Sequence, residues 1–302
     1  MSSTTTSTRT ISRPAQSDLP AVGSATAGQR ARNRRRLLGR GALYATATLM
    51  ALWVLFPIYL IAISAFSPRE VVREYPKQVI PQEFSIESMR FFVNASGILD
   101  SLLNSVWVAL ITLALSTLIG APAGYAIARF VFRGREGYRL IILSTRAFPI
   151  VILSIPIAVT FLNWGIYDSI WAVALMHTAL AMPFTVLVTS SVFVSVPHDL
   201  EEAALTLGCT PIQAFIRVVL PLALPGMAAA SIFTIVLSWN EVFAAVILTL
   251  QERTLPARVL SVITSSPPHF RFAAAFFMLA PSLIFIFVIR RYLLGLWGRI
   301  SR

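Results

Sequence analysis

Six separate apolar stretches of membrane-spanning length leave this 302-residue chain few possible folds. They lie at about 42–66, 102–128, 140–163, 168–194, 225–249 and 272–289. A helix needs about 20 mostly apolar residues to cross the hydrocarbon core, and a mean hydropathy of +0.74 exceeds that of ordinary soluble domains. We therefore predict an all-α integral membrane protein with six transmembrane helices in one domain, residues 42–300.

The basic residues predict how these helices are oriented. If the N-terminus lies inside the cell, 17 of the 25 lysines and arginines fall on the inner side and 7 on the outer side. This bias follows the positive-inside rule and predicts that both termini are cytoplasmic. Residues 1–41 are expected to be a basic, disordered tail, and their run QRARNRRRLLGR to anchor the orientation near lipid headgroups. The net charge of +12 therefore reflects topology, and we do not expect nucleic acid to bind.

Metal and disulfide chemistry have little support in the sequence. Cys209 is the only cysteine, so an intrachain disulfide is excluded. His177, His198 and His269 lie far apart in the sequence, and no cluster with metal-ligand spacing occurs. We expect each histidine to form local hydrogen bonds, and we expect no metal or cofactor in this chain.

Polar residues inside the fifth stretch are the candidates for a translocation path. Asn240 and Glu241 follow Trp239 within an apolar segment, and polar groups there are costly and often functional. An aromatic ring beside hydrogen-bonding groups suits a sugar, with its apolar ring faces and hydroxyl edges. Polar contacts between helices are the alternative role.

Two further features of the apolar stretches each have two interpretations. Arg146 in the third stretch either extends to the cytoplasmic surface or takes part in gating. Gly120 and Gly124 in the second stretch either let helices of this chain pack closely or contact a second membrane subunit.

A polar hairpin over residues 196–221 separates the fourth and fifth stretches. Pro197 suits the first turn of a helix, and acidic residues in that turn complement the helix dipole. Gly208 is the expected end of this helix, because glycine tolerates a left-handed backbone. Thr210 and Gln213 form a capping box for a second helix, which we expect to end at prolines before the fifth stretch.

The hairpin has the chemistry of a docking element. It contains no nucleophile with an adjacent base, which argues against catalysis. Ala203 and Ala204 permit close approach to a groove on another protein, and Glu201 and Glu202 could meet basic groups there.

The hairpin spacing resembles the "EAA" signature of binding-protein-dependent ABC importer permeases. The matching residues are Glu202, Ala203, Ala204, Gly208, Leu220 and Pro221, with Val218 where the family usually has Ile. Three other segments resemble the carbohydrate group of this family: AGYAIARFVFRGR at 123–135, RAFP at 146–149 and SWNEVFAAVILT at 238–249. The similarity covers about residues 42–300, and the nearest type is the six-span permease of maltose-type importers.

This resemblance implies the function and the partners. The hairpin, with the six residues named above, would couple to one of two cytoplasmic ATPase subunits that bind ATP and Mg²⁺. A second, different permease would complete the path, and a solute-binding protein outside would deliver a sugar, such as maltose or trehalose, with residues 250–271 as a candidate contact. The location implied is the bacterial inner membrane. In maltose-type importers the companion permease supplies the main sugar contacts, so direct contact by this chain stays open.

Three alternatives remain at this stage. The solute could be glycerol 3-phosphate or another small molecule. An ion-coupled secondary transporter would be expected to show an internal repeat with paired broken helices, and we find no convincing repeat. A membrane scaffold without transport activity would not need Glu241 within a span.

Overall fold

The protein is all-helical, as predicted, in a computed structural model that describes residues 27–74, 76 and 79–300. No β-strand occurs in these ranges. The long helices are α1 (Ala27–Ala65), α3 (Ile98–Arg129), α6 (Ile170–Val194), α9 (Leu220–Asn240) and α12 (Pro268–Ile300). The shorter ones are α2 (Glu87–Val93), α4 (Arg135–Ser144), α5 (Ile150–Asn163), α7 (His198–Thr206), α8 (Pro211–Ala214), α10 (Phe243–Leu248) and α11 (Leu255–Val262).

Five helical segments of the described chain are long and apolar enough to cross a membrane, and a bent pair makes six if it counts as one span. The five are Leu38–Ala65, Ile98–Arg129, Ile170–Val194, Pro211–Ala228 and Pro268–Phe285. The bent pair joins Arg135–Ala147 to Ile150–Asn163. The helices therefore fit the predicted multi-pass membrane fold.

The chain divides into two compact units, Met1–Pro57 and Ile58–Arg302. In the first unit, residues 1–26 of the predicted disordered tail lie outside the described residues. Residues 27–41 of this predicted tail form the start of α1 in the structure. Arginine, a strong helix former, is the commonest residue of this segment.

The third apolar stretch, predicted as one span over 140–163, is broken in the second unit. α4 and α5 meet at an angle of 88°. Phe148 between them is extended, with φ −76° and ψ 122°, and Pro149 precedes α5. Proline disfavours a helical conformation in the residue before it, so the sequence RAFP explains the break.

The fifth stretch begins earlier and ends earlier than predicted. The helix continues from Pro211 through a π-helical segment, Phe215–Val219, into α9, so Pro221 and Pro225 do not end it. The N–H of Leu220 donates to the carbonyl of Phe215, and this wider turn precedes Pro221, whose ring would crowd a regular α-helix. The helix ends at Asn240, and Glu241 is extended.

The centre of the second unit is the pair α3 and α6, which share its most extensive helix interface. Both Gly120 and Gly124 are buried against α6. Of the two interpretations of this glycine pair, the structure confirms packing within the chain. α9 packs across both helices, and α12 packs on α9 and α2.

Candidate functional site

A cavity of about 1200 Å³ lies between α3, α4, α5, α6 and α9. Its wall is mostly apolar and contains the aromatic residues Phe132, Tyr138, Phe148, Phe233 and Phe243. Its polar lining residues include Thr145, Arg146, Asn240 and Glu241. The cavity borders two helix breaks, one between α4 and α5 and one between α9 and α10. These breaks place polar groups on an otherwise apolar wall.

Glu241 occupies the break between α9 and α10. Its carboxylate accepts the backbone N–H of Ala244 at 3.1 Å and that of Ala245 at 3.3 Å, and so caps α10. Capping by a carboxylate satisfies N–H groups that a helix start leaves unpaired. The glutamate thus stabilises the break, whereas the sequence predicted a continuous helix at this position.

The second partner of Glu241 is His177 of α6, whose side chain is fully buried. Nε2 of His177 lies 3.0 Å from Glu241 Oε2, and Nδ1 lies 2.9 Å from Ser238 Oγ. The hydrogen bonding expected of His177 is confirmed, but its partners lie 61 and 64 positions away and are not local as predicted. The pairing with Glu241 was not predicted. Its signal in the sequence is two polar groups in different apolar stretches, each of which needs a partner.

The other two predicted path residues have different environments. Asn240 is exposed on the cavity wall, and its amide nitrogen donates to Val236 O at 2.8 Å. Trp239 is buried, with 3% of its surface exposed, and its indole N–H donates to Met278 O at 3.3 Å. Trp239 is absent from the described lining of the cavity and packs against α12. Asn240 and Glu241 therefore share the cavity, while Trp239 faces away.

Arg146 lies in a 3₁₀ turn, Thr145–Ala147, at the α4–α5 break. Its side chain is exposed and lines the cavity. The prediction placed Arg146 inside a continuous span, whereas the residue lies at the break and lines the cavity.

The hairpin turn forms as predicted from local sequence. Gly208 has φ +91°, and the N–H groups of Gly208 and Cys209 donate to Leu205 O and Ala204 O at 3.0 Å. These two bonds form the glycine-ended Schellman motif. Thr210 and Gln213 make both hydrogen bonds of the capping box. α7 begins at His198, immediately after Pro197.

The hairpin exposes fewer of the predicted coupling residues than the sequence suggested. Glu202, Ala203, Gly208 and Pro221 are exposed, and Leu220 is half-buried. Ala204 is buried, with 6% of its surface exposed, and so packs within this chain instead of facing a partner. Glu201 is also buried, which removes it from the acidic surface expected around the alanines.

At the opposite end of the helices, Asp168 holds the chain after α10. Its Oδ1 accepts the backbone N–H groups of Leu250, Gln251 and Glu252 at 2.7, 2.9 and 3.1 Å. Burial acts to raise the pKa of the Asp168 carboxyl, but these donors and the Arg253 charge outweigh it and lower the pKa. This contact was not predicted, because it joins residues 82 to 84 positions apart in the sequence.

The two remaining histidines differ from each other. His198 Nδ1 lies 3.1 Å from Glu202 Oε1, one helical turn away, which is the local contact expected. His269 is buried and neither ring nitrogen has a hydrogen-bond partner, so the expectation is wrong there; the ring packs edge-on against Phe91. No group of metal-binding side chains occurs among the described residues.

Comparison with known proteins adds a family match. The model of the family described as "Binding-protein-dependent transport system inner membrane component" matches residues 120–295. The diacetylchitobiose uptake system permease protein NgcG of Streptomyces coelicolor is 31% identical over 82% of this chain and 84% of its own length. The trehalose transport system permease protein SugB of Mycobacterium tuberculosis is 30% identical over 81% of this chain and 90% of its own.

Solved structures share the fold. A chain of a bacterial ABC transporter that imports alginate has a TM-score of 0.69 at 21% identity, over 85% of this chain and 96% of its own. A chain of the inward-facing methionine ABC transporter MetNI has a TM-score of 0.54 at 20% identity, over 67% of this chain and 95% of its own.

Proposed function

Because the chain belongs to the family of binding-protein-dependent transport system inner membrane components, we propose that it forms half of the translocation path for a sugar in an ABC importer. It is a multi-pass permease of the inner membrane and not the ATP-hydrolysing subunit. The sugar is a di- or oligosaccharide, the class named for the relatives that take up diacetylchitobiose and trehalose.

The cavity beside the two helix breaks is the observation that carries this proposal. Its volume of about 1200 Å³ is larger than that of most ligand sites, which span about 300–1000 Å³, and exceeds the needs of a single monosaccharide. The aromatic wall offers faces for sugar rings, while Asn240 and Glu241 offer polar atoms for hydroxyl groups. A second, different permease closes the open side of this path.

The energy for transport comes from separate ATPase subunits that bind ATP and Mg²⁺. The sequence contains no G-x-x-x-x-G-K-[ST] loop. The exposed hairpin surface, with Glu202, Ala203, Gly208 and Pro221, docks in a groove of one of two ATPases. The hairpin and both termini are then cytoplasmic, in agreement with the distribution of basic residues.

The end of the helices opposite the hairpin faces the solute-binding protein. The segment 250–271, held at its start by Asp168, contains α11 and is the candidate contact.

Uptake by the complete transporter in liposomes, with its binding protein supplied, tests the path. Asn240→Ala removes an exposed polar group whose amide donates a hydrogen bond within its own helix, so we expect weaker sugar uptake with normal assembly. Glu241→Gln keeps the shape but loses the charge that caps α10, so transport should fall more than assembly. Normal uptake by both variants would remove the cavity from the path.

The substrate is tested with the same liposomes. We expect saturable uptake of trehalose or diacetylchitobiose. Glycerol 3-phosphate is the second candidate, because the guanidinium of Arg146 on the cavity wall could bind a phosphate. Uptake of glycerol 3-phosphate without uptake of either sugar would overturn the sugar assignment.

A further inference from the structure

Two adjacent glutamates of the hairpin have opposite environments. The side chain of Glu202 is 67% exposed, whereas that of Glu201 is only 10% exposed. A buried carboxylate is costly unless it is paired, so Glu201 has a partner inside the chain. Glu201 is therefore not part of the outward docking surface.

The partner of Glu201 is the end of α3. Arg129 Nε lies 2.9 Å from Glu201 Oε2, and the Arg129 side chain is 8% exposed. This contact is an ion pair without hydrogen-bond alignment. The hydroxyl of Tyr125, one turn earlier in α3, donates to Glu201 Oε1. Arg129 also donates from Nη2 to Val196 O at 3.0 Å, just before α7.

Apolar packing encloses this cluster of Tyr125, Arg129 and Glu201, called here the Glu201 cluster. The ring of Tyr125 lies 5.6 Å from that of Phe193 in α6 and 4.5 Å from that of Phe215 in the π-helical segment, between ring centroids. The cluster thus joins α3, α6, α7 and the helix that leads into α9. Shielding from water strengthens the electrostatic contacts within it.

We propose that the Glu201 cluster transmits movement of the hairpin to α3 and, through α3, to the wall of the cavity. Ala126 and Ile127 of α3 line the cavity and lie in sequence between Tyr125 and Arg129. A shift of Glu201 therefore moves the same helical turn that borders the path. This inference rests on the proposed docking of the hairpin to an ATPase.

A second mechanical route exists through the continuous helix from Pro211 to Asn240, which also reaches the cavity. The two routes differ, because the helix is covalent and the Glu201 cluster is not. Side-chain substitution can break the cluster and leave the helix intact. Tyr125, Arg129 and Glu201 are thus positioning residues whose loss should separate ATP hydrolysis from transport.

The experiment uses the complete transporter in liposomes with its binding protein and a transported sugar. The variants are Glu201→Gln, Arg129→Gln and the double variant, which leaves no unpaired buried charge. We expect each to bind the ATPase and hydrolyse ATP, while sugar uptake per ATP falls about fivefold or more, the lower limit typical of coupled sites. Because both residues belong to one cluster and their ion pair is lost in either single variant, the double variant should be no worse than either.

Controls separate this inference from the proposed function. Glu136→Gln breaks an exposed ion pair with Arg139 and should leave uptake per ATP unchanged. Ala203→Trp adds bulk to the exposed hairpin surface and should prevent ATPase binding. Normal ATPase binding by Ala203→Trp would overturn the docking model itself.

A different result would refute transmission through the Glu201 cluster. Suppose that Ala203→Trp blocks ATPase binding and that the double variant assembles in normal amounts. If the double variant then keeps the same sugar uptake per ATP as the unchanged protein, the Glu201 cluster does not transmit movement. Arg129→Lys keeps a positive charge beside Glu201 and should retain more coupling than Arg129→Gln. Equal loss in these two variants would also contradict the ion-pair mechanism.

Discussion

Gly124→Ala should destabilise the permease through the interface of α3 and α6. A Cβ atom at position 124 would overlap Thr189 Oγ1 and would lie 2.8 Å from Ser190 N and 2.9 Å from Val186 O. Non-bonded atoms pack best at about 3.5–4.0 Å. The Thr189 side chain can rotate, but the other two atoms belong to the backbone of α6. The helices must therefore separate to admit one methyl group.

The size of the effect follows from these contacts. Overpacking of a tight interior costs about 1–3 kcal/mol, and the two backbone contacts favour the upper part of this range. Thr189→Ala should not rescue Gly124→Ala, since it leaves the contacts with Ser190 N and Val186 O in place. Gly120→Ala should cost less, because its nearest neighbour is the side-chain Cγ2 of Thr185 at 2.8 Å.

The assay is unfolding of the purified permease in a mixed detergent, with the free energy of unfolding compared between variants. Gly137→Ala is the matched control, because Gly137 lies in α4 with no atom within 4 Å of the added Cβ. Alanine there should be neutral or stabilise by about 0.5–1 kcal/mol. Equal stability of Gly124→Ala and Gly137→Ala would show that α3 and α6 do not approach as closely as described.

Three further predictions concern the hairpin and the opposite end. Gly208→Val should insert normally but lose sugar uptake in liposomes, because φ +91° costs a β-branched residue about 1–3 kcal/mol; full uptake would contradict this. Ala204→Trp should reduce the amount of folded permease, whereas Ala203→Trp should leave folding intact; equal yields in detergent would refute the buried placement of Ala204. Asp168→Ala should lower stability more than Asp168→Asn, since asparagine tolerates φ +56° and keeps one acceptor; equal unfolding midpoints would argue against the contact. Because the pKa of Asp168 is lowered in the folded state, its contribution to the free energy of unfolding is complete above its ordinary pKa near 4. That contribution is lost as the pH falls further, and unfolding measured as a function of pH would detect the loss.

Local sequence predicted the hairpin turn in detail. The positive φ of Gly208 and the capping box of Thr210 and Gln213 both appear as expected. These features depend on residues within a few positions of one another, so their chemistry is legible in a short segment. The break at Pro149 is equally local and could have been predicted from the same rule for residues before proline.

The candidate path was only partly predictable. Asn240 and Glu241 stood out as polar groups in an apolar stretch, and both line the cavity. Trp239, the residue before them, faces α12 instead. Consecutive helical residues point about 100° apart, so adjacency in sequence does not place side chains on one wall.

The sequence by itself determined that this chain spans a membrane several times and carries a capped polar hairpin, because hydropathy, helix caps and turn glycines act over short distances. Only the tertiary structure decided that Glu201 faces inward while Glu202 faces outward, since Arg129 lies 72 positions earlier. Only it paired Glu241 with His177, 64 positions away. Buried charges and polar groups take the partners that packing brings to them, and packing depends on the whole arrangement of helices.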